Sequence, residues 1–305
     1  MNLIEIHKTF QTDDQCTEHL AKLRWPDGVR CVTCGTDKVK QYSSPTKKQP
    51  GRKVYECQEP TCKQQFTATS GTIFHDTHLP LTKWFVALSL LVDAKKSISA
   101  KQLQRHLGTG YKTAWYLAHR IRKAMEETDP RPKLGGIVEM DETYVGGRKL
   151  GFGPIVAKKA KEIVIGIRQR DGELRMFHVE DVKSGTLAKY IRENVSDDVD
   201  VLVTDSFPAY KYAVGPKKHE TVNHIAKEWV RGNVHTNTIE SAFSLLKRGI
   251  VGSFHRISIK HLKRYLAEFE YRYNRRDNLN RFKETLGRMA KTKPMPFEAL
   301  TAEPS

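Results

Sequence analysis

The sequence predicts an α/β domain, with a mixed β-sheet and flanking helices, preceded by two smaller modules. Three observations indicate this: two cysteine pairs near the start, apolar residues at helical spacing from about residue 81, and alternating β-type and helical segments after a Pro- and Gly-rich linker. A chain of 305 residues is long enough for about two domains. We expect a cysteine-rich module at 1–76, a helical module at 77–130, the α/β domain at 131–290 and a tail at 291–305.

The composition indicates a polyanionic partner. Lys and Arg total 52 against 35 acidic residues, a formal charge of +17, and such an excess favours DNA or RNA. A ribosomal or membrane-surface protein would be equally basic, so charge alone leaves those classes open. The N-terminus has no apolar segment of signal-peptide length, and the most apolar stretch, 84–92, is too short to span a bilayer. We therefore expect a soluble protein of the cytoplasm, associated with the nucleoid, with no membrane partner.

The two cysteine pairs predict one structural zinc site. The first pair is Cys31-x2-Cys34, and the second, after 22 intervening residues, is Cys57-x4-Cys62. Close pairs in a large intracellular chain favour metal over disulfides, and four thiolates complete the tetrahedral shell of Zn²⁺. The second pair has two more intervening residues than is usual, so ligation by Cys62 is the open point. Two pairs of ordinary buried thiols are the alternative.

The helical module predicts a helix-turn-helix that contacts DNA. Ser99 is suited to an N-cap, and Gly108 and Gly110 interrupt the apolar pattern between two helices. The second helix would be the recognition helix, with base edges met near its N-terminal end and phosphates met further along. A helical hairpin that only packs is the alternative. The residues expected to contact DNA are Tyr111, Lys112, Thr113, Tyr116, Arg120, Arg122 and Lys123.

The α/β domain is predicted from eight segments in a fixed order. The apolar, β-branched runs and Gly-bearing turns indicate strands, and the amphipathic runs indicate helices. The order of a ribonuclease-H-like fold is three strands, a helix, a strand that ends in an acidic residue, and a helix that begins near an acidic residue. The predicted strands are 137–145, 162–168, 174–180, 199–204 and 220–224, and the predicted helices are 186–195, 238–248 and 259–276.

Three acidic residues in this domain predict a catalytic metal site. Asp141 and Asp205 are predicted at the ends of β-type runs and Glu240 near the start of a helix. Carboxylates from such elements can converge on two divalent cations, which hold the attacking and leaving oxygens of a phosphoryl displacement. A lone Asp at a strand end is more often a turn or cap residue, so the prediction depends on all three together. Lys247, two helical turns after Glu240, would bind the flanking phosphate.

Basic residues continue after the third acid. Leu262, Leu266, Phe269 and Tyr273 recur at helical spacing and are predicted to be core. The basic residues between them would then be left to contact the DNA backbone, which would make binding steeply salt-dependent; a solvated basic face is the alternative. The residues expected to contact DNA are Arg248, Lys260, Lys263, Arg264, Arg275 and Arg276.

Several long motifs resemble those of one family over nearly the whole chain. The motifs are CVTCG, FTATSGTIFHDTHLPLTKW, KTAWYLAHRIRKAM, VEMDETYVGG, VTDS and VHTNTIESAFSLLKRGIVGSFHRISIKHLKRYLAEFEYRYNRR. The sequence resembles the acidic-triad transposases of bacterial insertion sequences, in the branch with an N-terminal zinc ribbon and a helix-turn-helix. In that branch the third catalytic position is often Asn, which matches Asn237 here. The residue chemistry favours Glu240, because an amide brings no negative charge to a dication, so both stay open.

The resemblance implies a transposase that binds the terminal inverted repeats of its own element, cleaves them and joins them to target DNA. Its cofactors would be two Mg²⁺ (or Mn²⁺) ions per active site and one structural Zn²⁺. Its partners would be double-stranded DNA, both element ends and target, and further copies of itself on that DNA. Two other readings remain: a catalytically silent DNA-binding regulator derived from a transposase, and a ribonuclease-H-like nuclease without strand transfer.

Overall fold

A computed structural model describes residues 1–47, 49–146, 161–224 and 226–302. The chain folds as two compact units, one formed by Met1–Glu126 with Asp277–Ser305 and the other by Glu127–Arg276. Within the described residues, no helix is both long and apolar enough to cross a membrane.

The first unit begins with two short helices and a small sheet. Capping boxes at Asn2 and Thr12 start the two helices. Each cap side chain accepts a backbone N–H from the third helical residue, and the side chain of that residue accepts the backbone N–H of the cap residue. The next two strands pair as an antiparallel hairpin, and Lys48, between them in the sequence, lies outside the described residues. These elements are α1 (Leu3–Thr9), α2 (Asp13–Arg24), β1 (Val39–Ser43), β2 (Lys53–Cys57) and β3 (Gln65–Phe66).

A helical cluster completes this unit. Its central helix buries Trp84, Phe85 and Leu88, and the predicted pair of helices follows it, joined by a three-residue turn. Ser99 Oγ accepts the Gln102 N–H at 3.1 Å and starts the first of the pair. Gly108 ends it at φ 57°, a conformation that favours glycine. The helices are α3 (Leu81–Asp93), α4 (Ala100–Leu107) and α5 (Tyr111–Met125).

The C-terminal residues belong to this first unit. Two further helices, α10 (Arg281–Lys291) and α11 (Phe297–Thr301), end the chain. Helix α10 packs on α2, α3 and α5, burying Phe282, Leu286 and Met289. The sequence-based boundary at 290 therefore needs correction, because 277–290 were assigned to the α/β domain. The amphipathic pattern of α10 shows that it packs on something but does not specify on what.

The second unit contains a five-stranded sheet in the order β6-β5-β4-β7-β8. Strand β5 pairs antiparallel with both β4 and β6, and β4, β7 and β8 are parallel. The β4–β5 connection at 147–160 lies outside the described residues. The strands are β4 (Ile137–Val145), β5 (Glu162–Gln169), β6 (Leu174–Val179), β7 (Val201–Asp205) and β8 (His219–Val222), and the helices are α6 (Ser184–Asn194), α7 (Pro208–Ala213), α8 (Asn237–Gly249) and α9 (Leu262–Asn274).

Each face of the sheet has its own apolar core, because successive side chains along a strand point to opposite faces. Each face packs against a different set of helices. Met140 and Ile165 pack with α6 and α7 on one face, whereas Val145 and Val164 pack with α8 and α9 on the other. All the strands and helices predicted for this domain are present, most within one or two residues of their predicted bounds. The predicted helix at 259–276 begins later, since 259–261 form a 3₁₀ turn.

Candidate active site

Asp141 and Asp205 lie at corresponding positions on adjacent parallel strands. In the β4–β7 pairing Ile137 is opposite Val201, an offset of 64 residues that also separates the two acids. The residues of a parallel pair that lie opposite each other project from the same face. Asp205 ends its strand, and its Oδ1 accepts the Phe207 N–H at 3.0 Å, which fixes the carboxylate at the turn. The 64-residue separation of these acids in the sequence therefore equals the register of the β4–β7 pairing.

Helix α8 brings Glu240 to the same face of the sheet. Gly166 of β5 pairs with Asp141, and a Cβ at this glycine would lie 2.6 Å from Ile239 Cδ1 and 2.7 Å from Phe243 Cζ. Only a residue without a side chain lets α8 approach the sheet this closely beside Asp141. Glu240 itself lies in the first turn of α8, where its Oε1 accepts the Thr236 hydroxyl at 2.7 Å.

The other acids are close enough to alter the ionisation of Asp141. Burial, the adjacent Glu142 and the charges of Asp205 and Glu240 together raise the pKa of Asp141 to about 8. A cation would relieve this concentration of negative charge, so the donor set fits a divalent metal. The carboxylates are gathered more loosely than a closed site: within the described ranges, only the cysteines bring three or more potential ligand atoms within 4.8 Å of one another.

Glu142 faces the opposite side of β4 from Asp141, as strand alternation predicts. Its Oε2 accepts the Tyr210 hydroxyl at 2.8 Å, and Tyr210 is fully buried in the core on the α6 and α7 face. Burial raises the pKa of Glu142, and burial together with the Glu142 charge raises that of Tyr210 well above its usual range. The pair joins β4 to α7, directly after the turn that carries Asp205.

Glu139 is a residue that the sequence interpretation missed. It is fully buried on β4, two residues before Asp141 and therefore on the same face. Its Oε2 accepts the backbone N–H groups of Thr238 and Ile239, both at 3.0 Å, and the Thr238 hydroxyl at 2.6 Å. Its Oε1 accepts Arg170 Nε at 2.7 Å. Glu139 thus caps the N-terminus of α8 and fixes the helix that carries Glu240 to the strand that carries Asp141.

The remaining two predicted residues of this site are more exposed. Asn237 and Lys247 lie on the surface of α8. His235, just before α8, has Nδ1 3.1 Å from an Arg170 guanidinium nitrogen and 3.4 Å from Glu139 Oε1. It therefore belongs to the ion-paired group around Glu139. No signal in the sequence identified Glu139, because a buried capping carboxylate and an exposed strand residue look alike in one sequence.

The four cysteines form one cluster. The sulfur atoms of Cys31, Cys34, Cys57 and Cys62 all lie within 4.8 Å of one another. Cys62, whose ligation the sequence left open, belongs to the cluster: its Sγ lies 3.7 Å from the Sγ of Cys31. Trp25, Tyr55 and Phe66 contact one another beside the cluster and supply its apolar support. Four thiols at this spacing fit a tetrahedral metal ion, and the soft donor set suits Zn²⁺.

The predicted DNA contacts of α5 divide into two groups. Tyr111 is 52% exposed, and Lys112 and Thr113 are exposed beside it at the start of the helix. Lys123 is half-buried and pairs with Glu126 Oε2 at 2.5 Å. Tyr116 is half-buried, and its hydroxyl donates to the Met295 carbonyl.

Two arginines of α5 require correction. Arg120 is buried, stacks on Trp84 and donates to the carbonyls of Ile73 and His75. Arg122 is 1% exposed. Neither can reach a phosphate in this arrangement, because both guanidinium groups lie inside the unit. Their position in the helix suggested a basic surface, but a guanidinium that finds carbonyl or aromatic partners is readily buried.

The predicted contacts after α8 divide in the same way. Arg248, Lys263 and Arg276 are exposed, whereas Lys260, Arg264 and Arg275 are half-buried. Arg275 lies over the Tyr271 ring at 4.0 Å and pairs with Glu127 Oε1 at 3.3 Å. The predicted core positions of α9 are buried or packed in the core, as expected: Leu262, Leu266, Phe269 and Tyr273.

Comparison with known proteins gives two family matches and one relative. Residues 133–274, which contain all three acids, match the ISXO2-like transposase domain, and residues 11–65, which contain the four cysteines, match the transposase zinc-ribbon domain. A Halobacterium salinarum protein named "Uncharacterized protein in transposable element ISH50" is 30% identical over 284 residues, covering 87% of this chain and 92% of that protein. The chain therefore belongs to the family of insertion-sequence transposases that combine a zinc ribbon with an ISXO2-like transposase domain.

Proposed function

We propose that this protein binds the terminal inverted repeats of its own insertion sequence, cleaves them and joins them to target DNA. The convergence of Asp141, Asp205 and Glu240 on one face of the sheet carries this proposal. The strand order and the antiparallel-then-parallel pattern support a ribonuclease-H-like fold, in which acids from a central strand, its parallel neighbour and a later helix share one site.

The acids would hold two Mg²⁺ ions, with Asp141 and Asp205 as ligands and Glu240 or Asn237 completing the shell. Bound there, the ions would stabilise the charge on the attacking and leaving oxygens of the scissile phosphate. The protein's own part is positional. Glu139 holds α8 against β4, Gly166 lets that helix approach, and the Phe207 N–H orients the Asp205 carboxylate. Water would attack the scissile phosphate first and release the 3′-hydroxyl of the element end; this hydroxyl would then attack a target phosphate and displace a target 3′-hydroxyl in the same geometry.

DNA would contact exposed basic and aromatic residues. In the first unit, Tyr111, Lys112 and Thr113 lie at the start of α5, where a recognition helix meets base edges. In the second unit, Lys247 and Lys263 are exposed on α8 and α9 and would bind the backbone. Further copies of the chain would assemble on the paired ends. Together these contacts would keep the protein on the nucleoid.

The test is whether the purified protein, with Mg²⁺ and DNA that carries the repeats flanking its gene, cuts and joins the ends. Joined product is expected. Hydrolysis without joining would indicate a nuclease, and end binding without either reaction would indicate a regulator, so the three readings give three results.

The cysteine cluster makes a separate prediction for zinc. We expect about one Zn²⁺ per chain by metal analysis, because four thiolates complete a closed tetrahedral site. Cys62→Ser should lower the zinc content and the thermal stability of the ribbon, whereas Cys16→Ser, which changes a buried cysteine outside the cluster, should leave the zinc content unchanged. A wild-type protein that is zinc-free yet folded and able to bind element ends would refute this assignment.

The capping contact of Glu139 makes a prediction that separates positioning from stability. Glu139→Ala leaves Arg170 and the first N–H groups of α8 without their buried partner, so we expect a loss of about 3–5 kcal/mol in the free energy of unfolding. Cleavage per folded molecule should also fall, by about 10- to 100-fold, as for residues that orient a metal ligand.

The matched control is Glu268→Ala. Glu268 is 1% exposed and pairs with Arg272 at 3.0 Å within α9, so its loss should destabilise the protein comparably. Cleavage per folded molecule should then stay near wild type. Equal losses of cleavage in the two variants would contradict a positioning role for Glu139.

A further inference from the structure

We propose that Trp229 and His224 form a platform on which an unpaired nucleobase stacks beside the catalytic acids. The proposal rests on the function proposed above, since it takes the scissile DNA to lie at Glu240. It assigns a role to the 223–236 loop, which joins β8 to α8 and which the metal site itself does not use.

The aromatic pair, His224 and Trp229, is in contact with the candidate active site through His224. His224 Nε2 is 3.3 Å from Glu240 Oε1, and the ring of Trp229 lies against the His224 ring with centroids 4.7 Å apart and planes tilted by 31°. The His224 imidazole therefore lies between the Glu240 carboxylate and the Trp229 indole. A phosphate bound at Glu240 would have its neighbouring base near the indole.

Trp229 is covered on one side and open on the other. Its exposed fraction is 55%, an unusual value for the largest apolar side chain, and the adjacent Val230 is 52% exposed. With His224 against one face of the ring, the exposed area offers a surface for another flat group. Nucleobases stack on such surfaces without regard to sequence, because every base has a π-face.

The described part of the loop holds this arrangement in place. Arg231 donates to Glu220 Oε2 at 3.0 Å and to the Thr221 carbonyl at 3.2 Å, which ties the loop to β8. The Glu228 N–H donates to the Asn223 carbonyl at 3.0 Å, and the Asn223 N–H donates to Glu228 Oε2 at 3.3 Å. An exposed aromatic residue on a braced loop loses little freedom when a ligand stacks on it.

An unpaired base fits better than a paired one. In a duplex each base is already stacked on both faces, so the indole gains a partner only where the helix frays or a nucleotide is extruded, at a cost of a few kcal/mol. The end of an element next to a cut is such a place. The surface therefore favours the terminal nucleotide of the element over the interior of the repeat.

The test uses the full-length protein with Asp205→Ala, so that the DNA stays intact. The probe is a duplex of the flanking repeat with 2-aminopurine at the terminal nucleotide, and a second duplex is abasic there. Binding should quench the 2-aminopurine fluorescence with Trp229 present but not after Trp229→Ala, and Trp229→Phe should restore quenching. Affinity should fall by about 5- to 100-fold for the intact end and not at all for the abasic end.

Tyr212→Ala is the matched control, since Tyr212 is 75% exposed in the same unit but lies on α7. Quenching that persists in Trp229→Ala would overturn the proposal. So would an equal loss of affinity on the abasic duplex, which would indicate that the surface contacts another copy of the chain. Cleavage by the wild-type protein is measured in parallel. If the wild type cleaves DNA but quenching does not depend on Trp229, the platform proposal is wrong and the proposed function stands. If quenching depends on Trp229 but the wild type does not cleave, the proposed function is wrong.

Discussion

Asp141→Ala and Asp205→Ala should each abolish Mg²⁺-dependent cleavage while the affinity for element ends stays near wild type. Each substitution removes a proposed metal ligand from a site whose chemistry depends on the metal. Residues that only orient a ligand cost about 10- to 100-fold, so the loss of the ligand itself should exceed that range. Cleavage of end-labelled DNA and a parallel binding assay provide the measurement.

Folding can be checked separately for these variants. Asp141 is half-buried, and this burial together with the charges of Glu142, Asp205 and Glu240 raises its pKa to about 8, so its removal should leave the thermal unfolding temperature unchanged or higher. Asp200→Ala is the matched control for Asp205→Ala, because Asp200 is exposed immediately before the same strand. It should cleave normally. Substantial cleavage by Asp141→Ala or Asp205→Ala would remove these acids from the mechanism.

The third ligand gives the second large effect. We expect Glu240→Gln to lose cleavage, because a neutral amide cannot replace the charge of a carboxylate at a dication. Asn237→Ala should retain part of the activity. Two observations favour this order: the Glu240 charge acts on Asp141, and the Thr236 hydroxyl orients the Glu240 carboxylate.

Asn237 lies one helical turn before Glu240 and is exposed on the same helix. The comparison therefore needs Asn237→Ala, Asn237→Asp and Glu240→Gln side by side in Mg²⁺. If Glu240→Gln cuts at the wild-type rate and Asn237→Ala is inactive, the ligand is Asn237 and the preference for Glu240 is wrong.

Most of the α/β domain could be predicted because its signals are local. The alternation of 137–145, the turn at Asp171-Gly172 and the helical pattern of α9 each specify an element without reference to the rest of the chain. The 64-residue spacing of Asp141 and Asp205 had a meaning that the sequence alone did not reveal, since only the pairing of β4 with β7 shows it to be a register.

What could not be predicted depends on partners distant in sequence. Arg120 and Arg122 were assigned to a DNA surface because their helix is basic, but tertiary contacts bury them. Glu139 lies about 100 residues from the helix that it caps. Helix α10 belongs to the first unit because its apolar face packs against α2, α3 and α5. In each case the amino acid indicates the type of contact but not the partner.

The most direct test of the central claim is strand transfer by pre-cut ends. The protein is incubated with Mg²⁺, a supercoiled target plasmid and labelled duplexes that end in the 3′-hydroxyl of the flanking repeat. We predict a covalent joint between the labelled strand and the plasmid, formed by the wild-type protein and by Asp200→Ala but not by Asp205→Ala. Wild-type protein that binds these pre-cut ends but yields no joined product, or Asp205→Ala that joins them, would contradict the account.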